Sequence, residues 1–136
     1  MEECVFCKIV EGKVPAAKVY EDSKVISFLD IMPANKGHCL VVPKAHAQNL
    51  MEMNDDDLSA TIKAAKKIAS ALSLSFGNAS FNIVMNNGKE AGQLVNHAHI
   101  HIIPRFQKDR LRIKWSHIKY EDNEINEYAE RIRKFI

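Results

Sequence analysis

His97-Ala98-His99-Ile100-His101-Ile102-Ile103 reads as a strand by strict alternation, with three imidazoles separated by single apolar residues. In a β-strand successive side chains point to opposite faces. His97, His99 and His101 therefore face one way, and Ala98, Ile100 and Ile102 the other. The apolar set goes into a core. The imidazole row then lies on an exposed or cleft-facing side, with neighbours about 6.5–7 Å apart. Such a row serves as metal ligands, as catalytic bases or nucleophiles, or as a proton-sensitive surface. Three of the chain's 6 histidines within five positions are too concentrated for a strand that merely happens to carry histidine.

The chain around this strand reads as strands, one long helix, then more strands. Residues 18–30 read as two strands about a turn at Asp22-Ser23. Residues 32–37 form a loop by their Pro and Gly, and an apolar strand from His38 to Val42 is stopped by Pro43. Asn54 followed by Asp55-Asp56-Asp57 is an N-cap with acids in the first turn. The helix it opens carries Leu58, Ile62, Ala65, Ala69, Leu72 and Phe76 as a one-face stripe for core packing, and Gly77 ends it. Ser80 to Met85 is a strand, Asn86 to Gln93 a tight loop, and Ile125, Ala129, Ile132 and Phe135 mark a short C-terminal helix. Short connections in this order predict a single α+β domain over residues 1–136, built on an antiparallel or mixed sheet.

Composition narrows the function classes. The chain has 136 residues, 46% of them hydrophobic and 26% charged, as an ordinary globular domain does. A net charge of +2 gives no strong pull toward nucleic acid or membrane surfaces. No apolar run approaches the roughly 18 residues of a membrane span. Met1-Glu2-Glu3-Cys4 is acidic and lacks the apolar stretch of a signal peptide, so the expected compartment is cytoplasmic. Two of the 3 cysteines stand in Cys4-x-x-Cys7, which there favours metal or redox use over a structural disulfide. Redox use requires a helix N-terminus beside the pair.

Two chemistries compete for the histidine row. Three histidines can form a catalytic zinc site with an open fourth position. On a straight strand, however, the outer pair is about 13 Å apart. One shared zinc then needs a bulge or a ligand from elsewhere. Alternatively, an imidazole nitrogen attacks phosphorus at neutral pH, because a useful fraction is unprotonated. The flanking imidazoles can then hold phosphate oxygens or move protons. The preceding loop, Gly88-Lys89-Glu90-Ala91-Gly92-Gln93, offers small residues and backbone N–H groups that can cradle an anion.

The stretch from Glu90 to Arg105 resembles the motif of the histidine triad superfamily of nucleotide hydrolases and transferases, in which His, apolar, His, apolar, His precede two apolar residues. Phe6 to Pro15, Phe28-Leu29-Asp30-Ile31, Gly37 to His46 and Met85-Asn86-Asn87-Gly88 resemble its other blocks, so the match spans residues 4–106. In the tail, residues 107–136, Trp115-Ser116-His117 is similar to bacterial-type members. The resemblance implies an antiparallel sheet of about five strands with one long helix and a C-terminal helix, continued across a homodimer. It implies a purine nucleotide substrate, a phosphoramidate or a dinucleoside polyphosphate, from which a nucleoside monophosphate is released. His99 would be the nucleophile and His101 a phosphate contact. Phe6, Ile9, Val14, Phe28 and Ile31 would hold the base, and Asp30 the ribose. Asn86, Gly92, Gln93 and the backbone at Leu94 would bind phosphate. Leu94 departs from the family's Ser or Thr and offers no side-chain donor to a leaving group.

Members with an N-terminal cysteine pair resemble zinc proteins. By that likeness Cys4, Cys7, His46 and His97 would form a structural zinc site. Cys39 reads as a small buried hydrophobe, and His38 and His117 as structural or surface residues. Two other readings stay open. One is a nucleotide-binding regulatory module with weak turnover. The other is a metal-dependent hydrolase that uses the histidine row as a catalytic zinc site.

Overall fold

The computed structural model describes residues 3–136; Met1 and Glu2 of the acidic N-terminal segment lie outside them. A short helix α1 (Val5–Val10) leads into strands β1 (Lys18–Glu21), β2 (Val25–Leu29) and β3 (Cys39–Pro43). Helix α2 (Asp55–Ser75), strands β4 (Ser80–Val84) and β5 (Ile100–Arg105) and helix α3 (Glu124–Arg133) follow. The strands form one five-stranded sheet in the order β1-β2-β3-β5-β4, every neighbouring pair antiparallel. The α+β expectation, with its long and C-terminal helices, is met.

The sheet separates two apolar layers by residue parity. On one face Val25, Cys39, Val41, Ile100 and Ile102 pack against Ala64, Ala65, Ile68, Ala69 and Leu72 of α2. On the other, Ile26, Phe28, Leu40 and Val42 pack against Phe6 of α1. A fully buried aliphatic side chain contributes about 1.5–3 kcal/mol, so both layers hold the central strands firmly. Asn54 caps α2 as expected, its side chain accepting from the Asp57 N–H at 2.8 Å. Cys39 lies in the α2 layer as a small apolar residue.

Three expectations change. The core face of α2 is Thr61, Ala64, Ala65, Ile68, Ala69 and Leu72; Ile62 and Phe76 of the expected stripe are 48% and 42% exposed. Phe76 instead lies across Gly37, where a Cβ would come within 2.6 Å of the Phe76 ring and φ is +99°. Glycine is thus required just before His38. Second, α1 carries no sequence signal: six residues are too few for a periodic pattern, and so short a helix persists only through its tertiary contacts. Third, β5 begins at Ile100, so His97 and His99 precede the regular strand. Ala98 there donates its N–H to the Ala47 carbonyl at 2.7 Å, outside the sheet ladder. That detour carries His97 into the interior, fully buried, and not onto an open cleft face.

Candidate active site and metal centre

The face of the sheet opposite α2 carries a cleft of about 610 Å³. Its floor is set by strand register. Phe28 pairs with Leu40, and Leu40 with His101, so the three side chains stand abreast on β2, β3 and β5. Phe6 and Ile9 of α1, with Val14 and Ile31, complete an apolar wall. Asp30, Asn86, Gly92, Leu94, His99 and His101 supply the rest of the lining. A site with apolar walls and a few convergent polar groups is the usual form of a small-molecule pocket. Gln93 is the exception among the sequence candidates. Its Oε1 accepts from the Gly88 N–H at 2.9 Å, and its Nε2 donates to the Gln48 and Val95 carbonyls. It buttresses the 88–93 loop from behind and does not line the cleft.

His99 has a defined tautomer. Its Nδ1 lies 2.7 Å from the His97 carbonyl, which can only accept, so Nδ1 carries the proton. The Nε2 lone pair is left on the opposite side of a ring that lines the cleft. Burial holds this imidazole below its ordinary range of acidity, partly offset by the His97 bond and Asp30, so the ring is neutral at pH 7.

His101 is fixed through a relay. The Ala34 N–H donates to His38 Nδ1 at 3.0 Å. In neutral His38 the proton is then on Nε2, 2.9 Å from His101 Nδ1, which accepts it. His101 is left with Nε2–H, a donor suited to an anionic oxygen. Burial, then His99 and His38, lower its pKa to about 4, so this neutral tautomer persists across the physiological range. Asp30 Oδ2 lies 3.7 Å from His38 Nε2, while Oδ1 accepts from the Met32 N–H. His38, read from sequence as structural or surface, is 5% exposed and belongs to the site. Its parity with Leu40 and Val42 put it on the cleft face. Only the β3–β5 pairing, across sixty-odd residues, brings it to His101. His117 is exposed and does not line the cleft.

On the far side of His99, four residues from three segments converge. Cys4 caps α1 and accepts from the Cys7 N–H. Cys4 Sγ is 3.4 Å from His97 Nδ1, Cys7 Sγ is 3.3 Å from His46 Nδ1, and the two Nδ1 atoms are 3.1 Å apart. His97 Nε2 donates to the Pro43 carbonyl at 2.7 Å, so its Nδ1 presents a lone pair to the cluster. A buried lone pair facing two sulfurs and a second imidazole fits a cation, and these four residues can hold a metal ion. A helix start does stand beside the cysteines, as redox use requires. Yet burial and then Cys4 push the Cys7 thiol up to about 11, the reverse of a reactive thiolate.

Asp30, His38 and His101 also lie close enough to share an ion. Their hydrogen bonds oppose it: the relay places a proton on His38 Nε2 and commits the His101 Nδ1 lone pair to it. His99 joins neither cluster, so the triad does not gather on one metal.

The HIT domain profile matches residues 11–108. The chain is 38% identical over 130 residues to the adenosine 5'-monophosphoramidase of Schizosaccharomyces pombe, covering 95% of both chains. A crystal structure of a HIT family member from Bacillus subtilis superposes with a TM-score of 0.92 at 41% identity, over 98% of this chain and 97% of that one. A zinc-bound histidine triad family protein from Mycobacterium smegmatis superposes with a TM-score of 0.78 at 34% identity, over 96% and 92% of the two chains. Profile, sequence and fold agree, and this chain belongs to the HIT domain family.

Proposed function

We propose that the protein is a nucleotide hydrolase that releases a nucleoside monophosphate through a covalent nucleotidyl-His99. The single observation that carries this reading is the His99 tautomer: Nδ1–H is held by the His97 carbonyl, leaving an unprotonated Nε2 on a ring that lines a nucleotide-sized cleft. The amidase relative supports a phosphoramidate as substrate class; a dinucleoside polyphosphate has the same reacting centre. Nε2 attacks the α-phosphorus, the bond to the leaving group breaks, and that group departs with a proton from water. The resulting imidazolium keeps Nδ1–H on the His97 carbonyl, which stabilises its charge. Water then attacks phosphorus, the P–N bond breaks, and its electron pair returns to Nε2 as a proton leaves to solvent. His101 Nε2–H donates to a non-bridging oxygen throughout. Asp30 accepts from ribose hydroxyls, and Phe6, Ile9, Val14, Phe28 and Ile31 enclose a purine. Asn86, Gly92 and the Leu94 N–H face the phosphates.

The test is trapping. Protein mixed with an adenosine phosphoramidate and quenched in base should carry a nucleotidyl group on His99, and His99→Ala should turn over at least about 10³-fold more slowly. Turnover with no adduct, or an adduct on another residue, refutes the mechanism.

Cys4, Cys7, His46 and His97 would hold zinc. Tetrahedral zinc with its ordinary bond lengths sets N–S edges near 3.6 Å and N–N edges near 3.3 Å. The N–S separations of 3.3–3.6 Å and the N–N separation of 3.1 Å are compatible with that geometry. When bound, the ion supplies a structural crosslink between α1 and two histidine-bearing segments. We further propose a homodimer that continues the sheet across β4. β4 is an edge strand, and Phe81 and Ile83 on it share an open apolar groove with Ile62 and Leu74 of α2. Arg105 ties the departing C-terminal segment to that edge through Asn82 and the Leu111 carbonyl. α3 beyond it buries no residue, so Ile125 and Ile132 are free to cover the second copy. Sedimentation that gives a monomer at micromolar concentration would count against this pairing.

A further inference from the structure

α1 belongs to both sites at once. Cys4 caps the helix and Cys7 lies within it, so its start is bound into the four-ligand cluster. Val5, Phe6 and Ile9 of the same helix form one wall of the cleft. Phe6 is the hinge pin. Its ring stands edge-on to His97 at 5.9 Å, to His99 at 5.2 Å and to Phe28 at 5.5 Å between centroids. It is also the buried residue of the helix. A six-residue helix has almost no stability of its own. Its place over the cleft therefore depends on Phe6, on the packing of Ile9 and Val10 against the same apolar layer, and on whatever ties Cys4 and Cys7 to His46 and His97.

From this we infer that metal and nucleotide are thermodynamically linked through α1. The ion docks the helix that walls the cleft, and a nucleotide packed against that wall holds the cysteines at the ion. The inference rests on the nucleotide-hydrolase reading of the cleft and goes beyond it, because it gives Phe6, a wall residue of the cleft, the second role of coupling the two ligands, and makes metal supply a control on substrate affinity. Linkage is reciprocal, so each ligand must tighten the other by the same factor, about tenfold for a coupling of ordinary size.

The experiment uses the full chain with zinc and adenosine monophosphate as probes. Calorimetry gives the Kd for the nucleotide in zinc-loaded and zinc-stripped protein. Competition with a chromophoric chelator gives the Kd for zinc with and without the nucleotide. The expected result is a nucleotide Kd about tenfold weaker after stripping and a zinc Kd about tenfold tighter with nucleotide. Phe6→Leu should keep one zinc per chain and reduce both factors toward one. If stripping unfolds the chain, the zinc competition and the Phe6→Leu comparison still decide. Both ligands binding with factors within twofold of one overturns the linkage and leaves the hydrolase reading standing. Zinc binding with no nucleotide binding overturns the cleft reading, and the linkage with it.

Discussion

Two clusters of metal-type ligands flank His99, and they are built for opposite purposes. Cys4, Cys7, His46 and His97 turn two sulfurs, the His97 lone pair and the His46 ring nitrogen toward one another, a donor set that suits a positive charge at its centre. Asp30, His38 and His101 hold comparable ligand atoms equally close, but protons already lie between them. The difference comes from the outer partners. The Pro43 carbonyl takes the His97 proton away from the first cluster, whereas the Ala34 N–H drives the His38 proton into the second. Backbone groups one bond further out thus decide which cluster can take a cation and which passes a defined tautomer to the cleft.

Removing a ligand from the first cluster is the most severe way to break this comparison. Cys7→Ser should drop bound metal from one ion per chain to near zero and lower Tm by more than about 10 °C. Metal analysis and calorimetry on the same sample check it, and an unchanged Tm in the metal-free variant would remove the structural role. In the second cluster, His38→Leu leaves His101 Nδ1 without a donor and should lower kcat about 10–100-fold. His38→Gln can still donate to that nitrogen and should recover most of the loss. Equal defects in the two variants would mean that His38 only packs.

Acid sharpens the comparison further. The His101 pKa is lowered from 6.5 to about 4. Above pH 6.5 the ring is neutral folded or unfolded and stability does not respond. As pH falls below 6.5 the unfolded chain takes up a proton that the folded chain refuses. Stability is therefore lost progressively down to about pH 4, by about 2–3 kcal/mol. The difference between wild type and His101→Gln in urea unfolding, followed against pH, isolates this contribution from proton uptake at the first cluster. A flat difference would contradict it. The smallest effect is expected at Leu94, 94% exposed at the cleft mouth. Leu94→Ser should raise turnover of amine-leaving substrates a few fold, about 1 kcal/mol of added hydrogen bonding, and leave the His99 adduct and metal content unchanged.

How far the site was legible followed how local its signals are. The His97–Ile103 alternation gave the apolar face, and Ala98, Ile100 and Ile102 are buried as it requires, while His97 leaves the row for the interior. The N-cap at Asn54 gave the start of α2 because a cap is a contact across three residues. The role of Phe76 was not legible: its partner is Gly37, on a loop before β3. The direction of the Gln93 amide is illegible for the same reason, since the Gln48 and Val95 carbonyls draw it to the back of the loop. Resemblance carried the nomination of Cys4, Cys7, His46 and His97. No pattern in the residues alone joins positions 7, 46 and 97.

Residue order by itself settled which residues of β5 face the core, where the long helix starts, and that the histidines alternate with core residues, because these are properties of neighbours in the chain. Tertiary structure alone decided that His97 turns inward to the cysteines, that His38 orders His101, and that α1 closes the cleft. Those outcomes depend on β3 meeting β5 and on α1 packing over β2 and β3. Such long-range contacts form only when the whole core does, and no local propensity encodes them.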